Sequence, residues 1–138
     1  MRLSRKADYA LRAVRYFSNL PKGELGSINA VAQAETIPRE FLAKILRDLT
    51  HGRILASFQG VGGGYRLVKN PREVSFLDVI EVIEGPLHIN LCTDPKNTNC
   101  PCDQMETCEM RNFWVAQEES FKRTLARHNF GRYRQQKR

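Results

Sequence analysis

The sequence predicts a mainly α-helical fold with one small β-hairpin. Three observations predict it. Apolar residues recur three or four apart in five separate stretches. Two of the stretches are joined by a very short turn through Glu35-Thr36-Ile37. Directly after them, a period-two pattern flanks Gly60-Val61-Gly62-Gly63-Gly64. A tight helix pair followed by a hairpin is a winged helix-turn-helix. The last helical stretch is long enough to serve as a dimerisation helix.

The first helix is expected between Leu3 and Leu20, with Leu3, Ala7, Ala10, Leu11, Val14 and Phe17 inward and Pro21 stopping it. Ser27 is suited to cap a second helix that turns Ile28, Val31 and Ala32 inward. Pro38 opens the third, in the first turn where proline is tolerated. That helix runs to His51, buries Phe41, Leu42, Ile45, Leu46 and Leu49, and ends at Gly52, read as a left-handed cap. Ile54, Ala56 and Phe58 alternate with Leu55 and Ser57, and Tyr65 and Leu67 with Arg66 and Val68, giving the wing. Ser75-Phe76-Leu77-Asp78 is a capping box in its Asp form, opening a helix with Phe76, Val79, Ile80 and Ile83 inward and closed by Gly85-Pro86. A final helix over about 107–127 carries Met110, Phe113, Trp114, Phe121 and Leu125 on one stripe, too bulky to expose, which predicts packing on the domain or on a second copy. The expected organisation is a DNA-binding domain over 1–86, a cysteine-rich sensor loop over 87–108, and a dimerisation helix with a basic tail over 109–138.

Charge divides along the same lines. Residues 1–74 hold 13 Lys/Arg against 6 Asp/Glu, residues 75–119 hold 2 against 9, and residues 120–138 hold 7 against none. The basic front suits a polyanion, because clustered cations displace the counterions of phosphates. The acidic middle should avoid phosphates. The basic tail reads equally as a solvated end. The N-terminus leads into an amphipathic pattern rather than a signal-peptide core, and no run of eighteen apolar residues occurs, so the expected location is the cytoplasm, with no membrane partner. No histidine has an evident acid or nucleophile partner in the sequence, which argues against an enzyme.

On the third helix the outward residues near the start are Arg39, Glu40, Ala43, Lys44 and Arg47. Arg and Lys reach guanine edges or phosphates, Glu accepts from cytosine, and Ala offers a small apolar contact to thymine. A solvated helix face has a similar composition; the adjoining wing favours double-stranded DNA. The glycine cluster is no nucleotide loop: Tyr65 stands where GxGxxG needs glycine, there is no Gly-Lys-Ser/Thr, and a strand rather than a helix follows. Gln59, Gly60, Val61 and Gly62 instead form a wing tip whose bare backbone can enter a narrow groove.

All four cysteines, Cys92, Cys100, Cys102 and Cys108, lie within seventeen residues. In a reducing compartment such clustering favours a metal or redox site over structural disulfides. The spacing Cys92-x7-Cys100-x-Cys102-x5-Cys108 lacks the paired knuckles of structural zinc. Thiolates in an irregular loop suit an iron–sulfur cluster, and Cys108 at a helix start is favoured as thiolate. A zinc loop and a thiol–disulfide switch remain alternatives, with His88 available to complete a site.

The order of these parts resembles the IscR/NsrR-type winged-helix regulators, the Rrf2 family. The resemblance rests on Met1-Arg2-Leu3-Ser4, Asp8-Tyr9-Ala10-Leu11-Arg12-Ala13, Phe41-Leu42-Ala43-Lys44-Ile45-Leu46, Gly60-Val61-Gly62-Gly63-Gly64-Tyr65-Arg66-Leu67, the stretch from Phe76 to Gly85, and Cys108 leading into Trp114. It spans about residues 1–127, and the GGGYRL wing is its most specific piece. It implies a homodimeric bacterial repressor or activator that reads palindrome-like sites and holds a [2Fe–2S] or [4Fe–4S] cluster on three cysteines and a variable fourth ligand. Cys92 and Cys108 match the outer cysteines; between them the family usually has one cysteine and this chain has two. The IscR-kind histidine three residues after the last cysteine is Arg111 here, so that ligand set is ruled out. Asp8 matches an acid that ligates from the partner subunit in nitric-oxide-sensing relatives, although an acid in a first helical turn is also simply favourable. Gln59 and Ala43 replace an arginine and a glutamate of some relatives, so their DNA site cannot be copied to this chain.

These readings lead to the expectation of a homodimeric winged-helix repressor sensing iron, iron–sulfur supply or redox stress, in which residues 88–108 reorder with the state of the cluster and shift the last helix. The rivals are a clusterless thiol-switch or ligand-responsive repressor of the same fold and, in a different class, a small iron–sulfur electron carrier, for which a basic winged helix would be redundant.

Overall fold

The computed structural model describes residues 2–97, 102 and 106–133. Met1, Cys100 and the tail end at 134–138, all of which figure in the sequence expectations, lie outside the described residues. The helices are α1 (Arg5–Ser18), α2 (Ile28–Glu35), α3 (Arg39–His51), α4 (Phe76–Glu84) and α5 (Glu109–Arg127). The strands β1 (Leu55–Phe58) and β2 (Gly64–Leu67) form an antiparallel hairpin in the register Leu55 to Leu67 and Phe58 to Gly64.

Local chemistry sets most of the helix starts. The side chains of Ser4 and Ser27 accept from the amides of Ala7 and Ala30. The Ser75 hydroxyl accepts from the Asp78 amide (3.0 Å) while Asp78 accepts from the Ser75 amide (2.9 Å), completing the expected capping box. Helices α1, α3 and α4 then enclose one core through Leu11, Val14, Leu42, Ile45, Leu46, Val79 and Ile80. Each such side chain removed from water contributes about 1.5–3 kcal/mol.

Four details depart from expectation. Leu3 is 48% exposed, because α1 begins only at Arg5. Phe41 is 41% exposed rather than buried. Gly52 is not left-handed (φ −77°); the positive φ falls on Arg53 (61°). Glycine is needed at 52 for space, since a Cβ there would stand 2.7 Å from both Val82 methyl carbons. Finally, part of the basic tail docks. Phe130 is 2% exposed, its amide donates to the Val74 carbonyl (3.2 Å), and its ring packs on Phe76 with centroids 4.8 Å apart.

Among the described residues no helix is long and apolar enough to cross a membrane.

Candidate DNA-reading face and cysteine segment

The turn between α2 and α3 is three residues. Thr36 takes a left-handed conformation (φ 54°), Ile37 is buried, and Pro38 caps α3 without a side-chain bond. This geometry presents α3 with Leu42, Ile45, Leu46 and Leu49 inward and Arg39, Glu40, Lys44 and Arg47 exposed, as expected, with Ala43 half-buried. Arg39 is held by α2, its Nε donating to Asn29 Oδ1 (2.8 Å). Lys6 of α1 pairs with Asp48 (2.6 Å), fixing the back of the helix.

Gln59, Gly60, Val61 and Gly62 are all exposed at the hairpin tip. Gly60 (φ 98°) and Gly62 (φ 76°) take backbone conformations that side chains disfavour, which lets the tip turn tightly. The base of the wing is not free to swing. Tyr65 and Gly26 exchange two backbone hydrogen bonds (2.8 and 2.9 Å), tying the wing to the start of α2. Helix and wing are therefore presented as one unit.

The cysteine segment meets α5 at two points. Arg111 Nε donates to the carbonyl of Cys92 (3.1 Å), securing the backbone of a candidate ligand to α5. Two turns further along, Glu118 is the single buried residue of α5. It accepts from the Ile89 amide (3.0 Å) and meets His88 Nδ1 (2.9 Å), with Lys122 at 3.7 Å. Burial raises the Glu118 carboxyl, but bonds from the Thr93 hydroxyl, the Ile89 amide and His88, with the His88 charge, outweigh it and hold the group below its ordinary value. His88 is thereby engaged by Glu118, with Asp94 3.7 Å from its other nitrogen. The Glu118 clamp has no local signature, because its partners His88 and Ile89 lie 30 and 29 residues away in the chain.

Cys92 and Cys108 are half-buried and Cys102 is exposed. Cys108 is the N-cap of α5 and its side chain makes no capping bond, leaving the sulfur at the positive end of the helix. Among the described residues no three His, Cys, Asp or Glu side chains are assembled as a metal site. Soft thiols at both edges of an anchored segment, one at a helix N-terminus, fit an anionic thiolate-ligated cluster in their chemistry. Asp8 lies on the exposed side of α1, with Arg12 at 3.7 Å. On α5, Met110, Phe113 and Phe121 stay 69%, 55% and 43% exposed, so the predicted stripe is largely uncovered by the chain's own domain.

The family model for Rrf2, described as an iron-dependent transcriptional regulator, matches residues 3–132. The chain belongs to the Rrf2 family. It is 39% identical over 87 residues to two provisionally named HTH-type transcriptional regulators of Mycobacterium tuberculosis, over 63% of this chain. The chain spans about half the length of those curated relatives, the match covering 54% of each. It is 30% identical over 100 residues to the HTH-type transcriptional regulator NsrR of Shouchella clausii, over 72% of this chain and 67% of that one. The fold matches that of CymR, the global cysteine regulator of B. subtilis, with a TM-score of 0.75 at 22% identity, covering 94% of this chain and 93% of that one. The curated relatives it matches are named as regulators of transcription.

Proposed function

We propose that this member of the Rrf2 family is a homodimeric, sequence-specific repressor that reads double-stranded DNA with α3 and the wing and senses iron, iron–sulfur supply or redox stress through a cluster held by its cysteines. The observation that carries the reading is the pairing of an exposed basic helix and wing with a cysteine segment anchored directly to α5. Arg39, Lys44 and Arg47 supply phosphate and guanine contacts, Glu40 and Ala43 face bases, and residues 59–62 follow a neighbouring groove. The family's description as iron-dependent supports the sensing half.

Cys92 and Cys108 would hold the cluster with Cys100, Cys102 or both, and thiolate ligation would supply one-electron redox chemistry and sensitivity to oxidants. The chain's own residues do the rest. Arg111 and Glu118 transmit the position of residues 88–93 to α5. The uncovered Met110, Phe113 and Phe121 give α5 the surface for a second copy, so that movement of α5 alters the spacing of two recognition helices.

The test is an absorption spectrum with iron and sulfide assays on full-length protein purified without oxygen. The reading expects a brown protein with near-equal iron and sulfide, both lost in Cys92→Ala and Cys108→Ala. Alanine variants of Cys100 and Cys102 then identify the remaining ligand. Colourless, iron-free protein would replace the cluster with a thiol switch or zinc and leave the DNA-reading half standing.

A further inference from the structure

Phe41 has no role in the scheme above, yet it is a large apolar side chain left 41% exposed in the first turn of α3. It is not loosely placed. The Tyr9 ring of α1 meets it edge to face, with centroids 5.7 Å apart and an interplanar angle of 89°. Tyr9 itself lies under the Arg12 guanidinium, 5.3 Å from the ring centroid. The aromatic is thus backed on one side and open on the other, beside exposed Glu40 and Lys44.

The exposed cations of the same helix, Arg39, Lys44 and Arg47, indicate what covers it. A second copy docking there would bring like charges together, whereas a polyanion is matched. The apolar surface suited to a second copy is on α5, at Met110, Phe113 and Phe121. Residues at the start of a recognition helix reach base edges, and the apolar feature that the major groove offers is the thymine 5-methyl group. We propose that Phe41 is a specificity-determining residue that packs on thymine methyls in each half-site, with Tyr9 as the positioning residue behind it. The proposal rests on the DNA-reading function given above.

The test begins with selection of bound sequences from random duplexes by the full-length protein, purified without oxygen and again after chelation. Each thymine of the enriched site is then replaced by deoxyuridine, which removes only the methyl. At one or two thymines per half-site, wild-type binding should weaken about fourfold, the equivalent of about 0.8 kcal/mol for one methyl returned to water. Phe41→Ala should bind the thymine and deoxyuridine duplexes equally. Its exposed position spares the fold, which an unchanged melting temperature verifies. Wild-type indifference to deoxyuridine at every thymine overturns the proposal, as does a Phe41→Ala variant that keeps the wild-type discrimination. Failure to enrich any sequence in either form overturns the DNA-reading function and this proposal with it.

Discussion

Replacing Glu118 by alanine should release the start of the cysteine segment from α5. Glu118 is 7% exposed, and its carboxylate accepts from the Ile89 amide at 3.0 Å while meeting His88 Nδ1 at 2.9 Å. Alanine leaves the Ile89 amide without its acceptor in a partly dry site. An unsatisfied buried donor costs about 1–3 kcal/mol, and at about 2 kcal/mol the segment opens roughly thirtyfold more often. Glu118→Gln retains a carbonyl oxygen for the Ile89 amide but loses the charge, costing about 1 kcal/mol and opening roughly fivefold. Native-state hydrogen exchange at the Ile89 amide measures both ratios directly. The pH dependence follows from the lowered Glu118 value. A carboxyl held below its unfolded value of about 4.3 stabilises fully above that pH and loses the contribution as acid drives it through the lower, folded value. Ile89 protection should therefore fall away below about pH 4.3, as acid drives Glu118 through its lower, folded value. Unchanged Ile89 protection in Glu118→Ala would refute the clamp.

Two further outcomes test the docked tail and the reading helix. Phe130→Ala removes a ring that is 2% exposed and packed on Phe76, so thermal unfolding should show a loss of about 3–5 kcal/mol and a melting temperature roughly 10–20 °C lower. A loss under about 1 kcal/mol would mean the tail is not part of the core. The double variant Arg39→Ala, Lys44→Ala should lose sequence-specific binding in a competition assay and flatten the salt dependence; unchanged binding would remove α3 from the interface.

What the sequence disclosed follows the reach of each interaction. Ser27, and Ser75 with Asp78, bond amides three residues away, so their caps could be read from spacing alone. The wing was equally legible, because alternation and a glycine tip are local. Phe41 borders the apolar stripe of α3, and how much of it is covered depends on packing from a different helix, where Tyr9 meets it edge to face. Gly52 carried the right residue for a different cause, the approach of Val82 on α4. Phe130 and Glu118 were missed since each is buried by a distant partner. For Phe130 the one local hint is that it is followed by Tyr133 in a stretch otherwise basic and polar.

The central claim is that the cysteine segment and the DNA-reading face are linked. The most direct test compares the affinity of the full-length protein for its selected site when purified without oxygen and after chelation has stripped its iron, at fixed salt. Linkage of 1–3 kcal/mol, typical of allosteric coupling, predicts a change of roughly 5- to 150-fold between the two forms. Equal affinity in iron-loaded and stripped protein would contradict it, leaving a DNA-binding protein whose cysteines serve some other purpose.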